Sequence, residues 1–230
     1  MADNQTGKRA FIIGFTGATG MELLNNLAKN NIFSKIVLIG RRKVDFDDEE
    51  IKSWEQRLVD FDNLSKHADD FKDLDVGFCS LGTTRAKAGK DGFYKIDHDY
   101  VIESAKLAKE GGCKEFHYVS SAGADKNSMM FYLKTKKQVE EDLAQIGFDR
   151  LSIYRPKMLL GKRKECRITD FLGKAVLKPV IAVSPTAISI PIEMVAKAML
   201  INSQNDIKEP VEVIDNAMCY KIGKGDKDIP

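Results

Sequence analysis

Tyr132 and Lys136 stand four residues apart in the run FYLKTKKQVEEDLA, and Ser120-Ser121 lie a short loop earlier. Four residues make about one helical turn, so the phenol and the ammonium fall on one face. A tyrosine proton, with an unperturbed pKa of about 10, is released more easily when a nearby positive charge stabilises the phenolate. An acid placed in this way suits carbonyl reduction, where the new alkoxide needs a proton, and is worth about 10²–10⁴-fold in rate. A serine hydroxyl can hydrogen-bond the same carbonyl oxygen; Ser121 is the first choice and Ser120 the second. The spacing alone is weak, because in a chain with six tyrosines chance supplies such a pair. Tyr220 with Lys224 is one, and we treat it as a decoy because it sits among glycines with no strand and serine pair before it.

Hydride chemistry needs a dinucleotide, and the run FIIGFTGATGMELL is built to hold one. Three apolar residues, Phe11-Ile12-Ile13, suit a strand buried on both faces, and Gly14, Gly17 and Gly20 follow before a helical pattern over 21–30. The first glycine permits a tight turn, the second lets a pyrophosphate approach bare backbone, and the third lets the helix pack on the strand. The helix aims free N–H groups and its positive dipole end at the anion. A packing or turn role is the alternative for glycines at this spacing.

A second buried strand over 35–39 ends at Gly40-Arg41-Arg42. NAD-binding sheets carry an Asp or Glu about 20 residues beyond the glycines, where it binds the ribose 2′-hydroxyl. Two arginines stand here instead, and a guanidinium fork matches a 2′-phosphate in charge and shape, which favours NADP(H). Solvated turn charges, neutralised by the acidic run at 45–50, are the alternative. Residues 58–62 read as a third strand and its exit. Asp60 there is a candidate for the adenine, with a strand-end cap as an equal alternative.

A helix is expected over 64–71 and a fourth strand over 75–79, entering the small-residue turn Ser80-Leu81-Gly82-Thr83-Thr84. Ligands of doubly wound sheets lie beyond the carboxyl ends of the strands, so this turn should line the cofactor through its backbone. Residues 85–92 read as a mobile loop, 93–109 as a helix, 113–119 as a strand, 130–146 as the helix bearing Tyr132 and 151–154 as a strand ending in Arg155-Pro156. Beyond 157 the pattern weakens: a helix around 169–177, a strand near 188–190, a helix over 192–202, a strand over 211–214 and a polar tail. Alternating strands and helices predict an α/β chain, a doubly wound Rossmann-type parallel sheet with helices on both faces. One domain is expected over 1–230, with a flexible tail at 1–8 and a smaller substrate-side portion at 157–230.

Lys and Arg total 36 against 34 for Asp and Glu, so no overall field favours direct nucleic-acid binding. The first ten residues lack the apolar core of a signal peptide, and no apolar run approaches the roughly 18 residues of a membrane span. Placement in the cytosol or nucleus is expected. The four cysteines lack paired spacing and read as free thiols, and the three histidines do not cluster, so no metal is expected.

The runs GFTGATG, GRR, DVGFCSLGTT, VSSAGADKNSMMFYLKTK and YRPKMLLG, in this order, resemble an atypical short-chain dehydrogenase/reductase. The likeness is greatest to the Tat-interacting oxidoreductase family of animals and runs over nearly the whole chain. The resemblance implies NADPH, with Thr16, Gly17, Ala18 and Thr19 at the pyrophosphate, Arg41 at the 2′-phosphate and Leu81 and Gly82 near the adenosine. It implies Tyr132 as proton donor or acceptor and Lys136 on the nicotinamide ribose. After the turn at Arg155, which counts with the cofactor-side residues, Leu159 and Arg167 match family positions against the cofactor. Ser121 precedes Tyr132 by 11 residues, slightly closer than in most active reductases. The family is also described as regulatory, binding import receptors and influencing transcription and apoptosis, which extends the expected locations to the nuclear envelope. Two functions follow: an NADPH-dependent reductase of a small carbonyl compound, or an NADPH sensor that binds an importin-type or transcription-linked partner with little turnover.

Overall fold

Strands covered by helices on both faces carry continuous apolar runs, and the first of these organises the chain. In the computed structural model, which describes residues 7–161 and 188–226, β1 (Arg9–Ile13) is fully covered from Ala10 onward. It leads through α1 (Ala18–Lys29) to β2 (Lys35–Gly40), then α2 (Glu49–Ser53) and β3 (Glu55–Leu58). A 3₁₀ segment (Phe61–Phe71) precedes β4 (Val76–Cys79) and α3 (Arg85–Tyr94). A π-helical turn (Lys95–Asp99) joins α3 to α4 (Tyr100–Glu110), followed by β5 (Glu115–Val119), α5 (Phe131–Ala144) and β6 (Arg150–Arg155). The remaining described elements are β7 (Met158–Leu160), β8 (Ser189–Pro191), α6 (Ile192–Asn202), β9 (Val211–Asp215) and α7 (Asn216–Lys224).

The main sheet has seven strands in the order β3-β2-β1-β4-β5-β6-β9, and every pairing is parallel. Ile12, Leu38, Phe78 and Tyr154 face Leu23 and Leu24 of α1 and Val195 and Met199 of α6. Phe11, Ile13, Val37 and Phe116 face Val101 and Ala105 of α4 and Val139 and Leu143 of α5. Helices on both faces make this the expected doubly wound sheet. β7 and β8 form a separate parallel pair.

Three elements differ from expectation. The third strand is 55–58 rather than 58–62, because an edge strand needs only one backbone neighbour. Its sequence EQRL is held by polar contacts, Lys35 to Glu55 at 2.6 Å and Arg57 to Glu55 at 2.7 Å. Residues 85–92 are helical: Ala86, Lys87 and Ala88 favour a helix, and Gly89 interrupts it at φ +70° without ending it. The polar tail begins with α7, whose start is capped by Asp215 accepting from the Met218 N–H, and whose end is Gly225 in the left-handed region. The helix expected over 169–177 lies outside the described residues.

Beneath α6 the sheet carries a buried polar network. His117 Nδ1 lies 3.0 Å from the Tyr154 hydroxyl, and Asn202 donates to that hydroxyl at 3.2 Å and to Glu212 at 2.7 Å. Arg150 Nε donates to the same Glu212 carboxylate at 2.8 Å. Burial, with the charges of Arg150 and Lys8 behind it, holds the His117 pKa well below the ordinary histidine value. The unfolded chain therefore takes up a proton here that the fold refuses, so this contribution to stability is complete above about pH 6.5 and is lost as pH falls below it. Urea midpoints measured from pH 7 to pH 5 should fall, and the fall should be shallower in His117→Asn; an unchanged slope would remove His117 from the account.

Candidate active site

The crossover from β1 to α1 has no room for a side chain at Gly14 or at Gly20. A Cβ on Gly14 would lie 2.6 Å from the Leu81 nitrogen, at φ +80°, and one on Gly20 would lie 2.4 Å from the Gly14 carbonyl oxygen. Three of the helical segments are capped by side chains, Asp48 for α2, Asp60 for the 3₁₀ segment and Asp215 for α7. By contrast, α1 begins at Gly17 with no side-chain cap and no acidic residue in its first turn. Its first amides have no partner within the helix, and a cavity of about 320 Å³ lined by Gly14, Thr16 and Gly17 lies at the turn that leads into it. Bare backbone and free amides with no competing carboxylate fit a pyrophosphate.

The same cavity is lined by Arg41 and Arg42 after β2 and by Leu81, Gly82 and Thr83 after β4, the two strands that flank β1. Phe15 fixes this wall: its ring packs on Gly40, where a Cβ would lie 2.8 Å from Phe15 Cε1. Both arginines are exposed, and neither forms an ion pair among the described residues. No carboxylate of the acidic run forms an ion pair with them among the described residues: Asp48 caps α2, Glu49 pairs with Lys52 and Glu50 accepts from Trp54. Phe61 and Tyr100 line the far end, their rings 5.2 Å apart. Asp60 sits beside them, accepting from the Asp62 N–H at 2.9 Å and from Asn63 at 2.7 Å. It is therefore engaged as a cap and is exposed.

Lys136 is 4% exposed, and its ammonium lies 3.1 Å from both the Tyr118 hydroxyl and Asp97 Oδ1. Burial pulls its pKa down, but the groups around it outweigh burial and raise the value. Burial also pushes the Tyr118 phenol above its ordinary range. Tyr118 is therefore neutral at ordinary pH, and Asp97, 1% exposed, is the carboxylate in contact with the ammonium. The other Asp97 oxygen accepts the Thr83 N–H at 2.6 Å, so one carboxylate ties the lysine to the turn that lines the cavity. Asp97 was missed in the sequence. It lies inside the π-helical turn, a local widening that no residue pattern announces and that recurs at functional sites.

Tyr132 stands near Lys136 on α5, its ring packed on Phe93 at 5.8 Å and its hydroxyl without a hydrogen bond among the described residues. The loop after β5 folds back on this turn, with the Asp125 N–H reaching the Leu133 carbonyl at 3.4 Å and Gly123 against the Leu133 side chain. Ser121 is part-exposed in that loop and donates to the Ala122 carbonyl at 3.2 Å. Ser120 is buried and donates to Glu140 at 2.6 Å, and Arg155 binds the same carboxylate with Nε at 2.9 Å. Ser120 and Arg155 thus share one buried acceptor, apart from the cavity walls. Leu159 packs on the core from β7, Arg167 lies outside the described residues, and in the decoy pair the Lys224 ammonium rests 4.8 Å from the Tyr220 ring centroid.

Residues 9–110 match the model of the semialdehyde dehydrogenase NAD-binding domain. Over 223 residues the sequence is 43% identical to Protein HTATIP2 of Rattus norvegicus, covering 97% of this chain and 92% of the relative. The chain belongs to the HTATIP2 family. This HTATIP2-family chain is also 34% identical over 216 residues, 90% of each protein, to a protein named FMP52, mitochondrial, from Meyerozyma guilliermondii. That relative's name does not match the cytosolic or nuclear placement expected from the sequence. Among the described residues no helix is long and apolar enough to cross a membrane. MoeE5 in complex with UDP-glucuronic acid and NAD superposes with a TM-score of 0.69 at 12% identity, over 90% of this chain and 75% of that one. UDP-galactose 4-epimerase does so at 0.67 and 16%, over 90% and 76%. At such identities the likeness shows a shared fold and nothing more.

A buried ammonium that loses its carboxylate costs about 3–5 kcal/mol. Asp97→Leu should therefore lose stability of that order in urea unfolding, and adding Lys136→Met should recover most of it. A double variant no more stable than Asp97→Leu alone would show that Asp97 is not the counter-ion of Lys136.

Proposed function

We propose that the chain is an NADP(H)-dependent oxidoreductase of a small carbonyl substrate. The observation that carries this reading is the state of Tyr132, a phenol fixed by its ring yet with an uncommitted hydroxyl, beside a buried, charged Lys136. The nicotinamide cofactor, when bound, supplies the hydride. Asp97 keeps Lys136 charged and in place, and that charge lowers the cost of a phenolate on Tyr132 as its proton leaves for the substrate oxygen. Ser121, part-exposed in the adjoining loop, orients the carbonyl oxygen through its hydroxyl. The α1 amides hold the diphosphate, Leu81 and Gly82 lie at the adenosine side, and Arg41 with Arg42 recognises the 2′-phosphate.

One observation favours a second reading. The Lys136 ammonium is satisfied within the protein by Asp97 and Tyr118, so the fold alone gives a reason to keep it. A sensor that orders its loops on NADPH and then binds an importin-type or transcription-linked partner would keep the same residues.

Steady-state NADPH oxidation over a panel of small aldehydes and ketones separates the two. The reductase reading expects turnover that falls about 10²-fold or more in Tyr132→Phe, with NADPH still bound. Turnover unchanged by that substitution would remove Tyr132 from the chemistry, and cofactor binding with no turnover on any carbonyl would give the site to the sensor.

A further inference from the structure

The corner outside Tyr132 carries two exposed cations around a part-buried aromatic ring, none of them in the wall of the cofactor cavity. Phe131, the residue before Tyr132, packs on Phe93 at 6.0 Å, the same ring that holds Tyr132 at 5.8 Å. The Arg85 guanidinium carbon lies 5.8 Å from the Phe131 centroid and the Lys90 ammonium 5.2 Å from it. These cations come from the two segments of α3, on either side of the break at Gly89, so the break sets how far apart they stand. Both are exposed, and neither meets a carboxylate in an ion pair among the described residues. Lys87, between them in the chain, lines the cofactor cavity; Arg85 and Lys90 do not. Next to Phe131, Met130 is 60% exposed, held at the start of α5 by its N–H donating to Ser128 Oγ at 3.1 Å.

We propose that Arg85, Lys90, Phe131 and Met130 form the anchoring site for the substrate. The ligand class is a carbonyl compound with an apolar or aromatic body and an anionic group. The body lies on Phe131 and Met130, the anion meets the two cations, and the carbonyl is left at Tyr132. The proposal rests on the reductase reading of Tyr132. Two uncompensated cations beside an apolar surface select for the combination, because a neutral ligand leaves them unused and an inorganic anion leaves the apolar surface in water. Exposed ion pairs are individually weak, so two of them amount to about tenfold in affinity, reduced by salt. Such an anchor acts equally on the ground and transition states and appears in KM rather than kcat.

The test uses the full chain with NADPH and two aldehydes, benzaldehyde and 4-carboxybenzaldehyde. The carboxylate should lower KM about tenfold at low salt, and Arg85→Gln with Lys90→Gln should remove the difference. Equal KM values for both aldehydes in the intact protein would overturn the anchor while leaving the reductase reading standing. Calorimetry of 4-carboxybenzyl alcohol and benzyl alcohol against the NADP⁺ complex covers the other case. If neither aldehyde turns over, tighter binding of the carboxylated alcohol that depends on Arg85 and Lys90 supports the anchor independently of turnover, and equal binding overturns it. A double variant that loses NADPH would assign the cations to the cofactor and overturn the proposal. So would one that loses only the binding of an acidic peptide or nucleic acid.

Discussion

Two pieces of backbone pressed together at the first crossover govern this molecule. Gly14 touches the turn after β4, and Gly20 touches the carbonyl of Gly14, at distances a side chain would close. At that contact α1 starts without a side-chain cap, and the residues on both sides of it, Gly14 and Leu81, line one cavity. Phe15 transmits the constraint to the neighbouring strand by packing on Gly40, which leaves Arg41 and Arg42 at the rim. The fit of this corner to a phosphate, as proposed, is a matter of shape first and of charge second.

A second constraint lies deeper. An ammonium with almost no access to water needs a carboxylate, and Asp97 answers Lys136 while also holding the Thr83 N–H. The residue that would tune Tyr132 is thereby joined to the turn that lines the cofactor cavity. The arrangement is set before any ligand arrives, which is how a charged group in a dry site avoids reorganisation during reaction. Ser120 and Arg155 close a separate buried cluster on Glu140. Of the two adjacent serines this leaves Ser121 nearer the surface.

The sheet and its glycine turn were legible because burial on both faces leaves a clear mark: β1, β2 and β4 are continuous apolar runs, and only glycine tolerates the contacts at 14 and 20. What escaped was held by forces that leave fainter marks. β3 is an edge strand stabilised by cross-strand charges, so it carries no apolar run. Gly89 read as the mark of a loop, yet it is a break inside a helix. The cap at Asp215 and the glycine at 225 do announce α7, and a polar tail was nonetheless expected there. Asp97 is invisible in a pattern, since an aspartate on a charged helix looks solvated until the π-helical turn and Lys136 are seen beside it. For the site residues, positions could be assigned from spacing, but partners could not: Asp60 is engaged as a cap, and Ser120 and Arg155 share Glu140.

On this reading the corner binds a dinucleotide, and Arg41 and Arg42 read an added phosphate. Titration calorimetry of the purified chain with NADPH and with NADH tests it most directly. Charge-assisted hydrogen bonds to a phosphate should make NADPH about tenfold tighter or more, with the gap narrowing as salt is raised. Equal dissociation constants, or no heat with either nucleotide, would contradict the account.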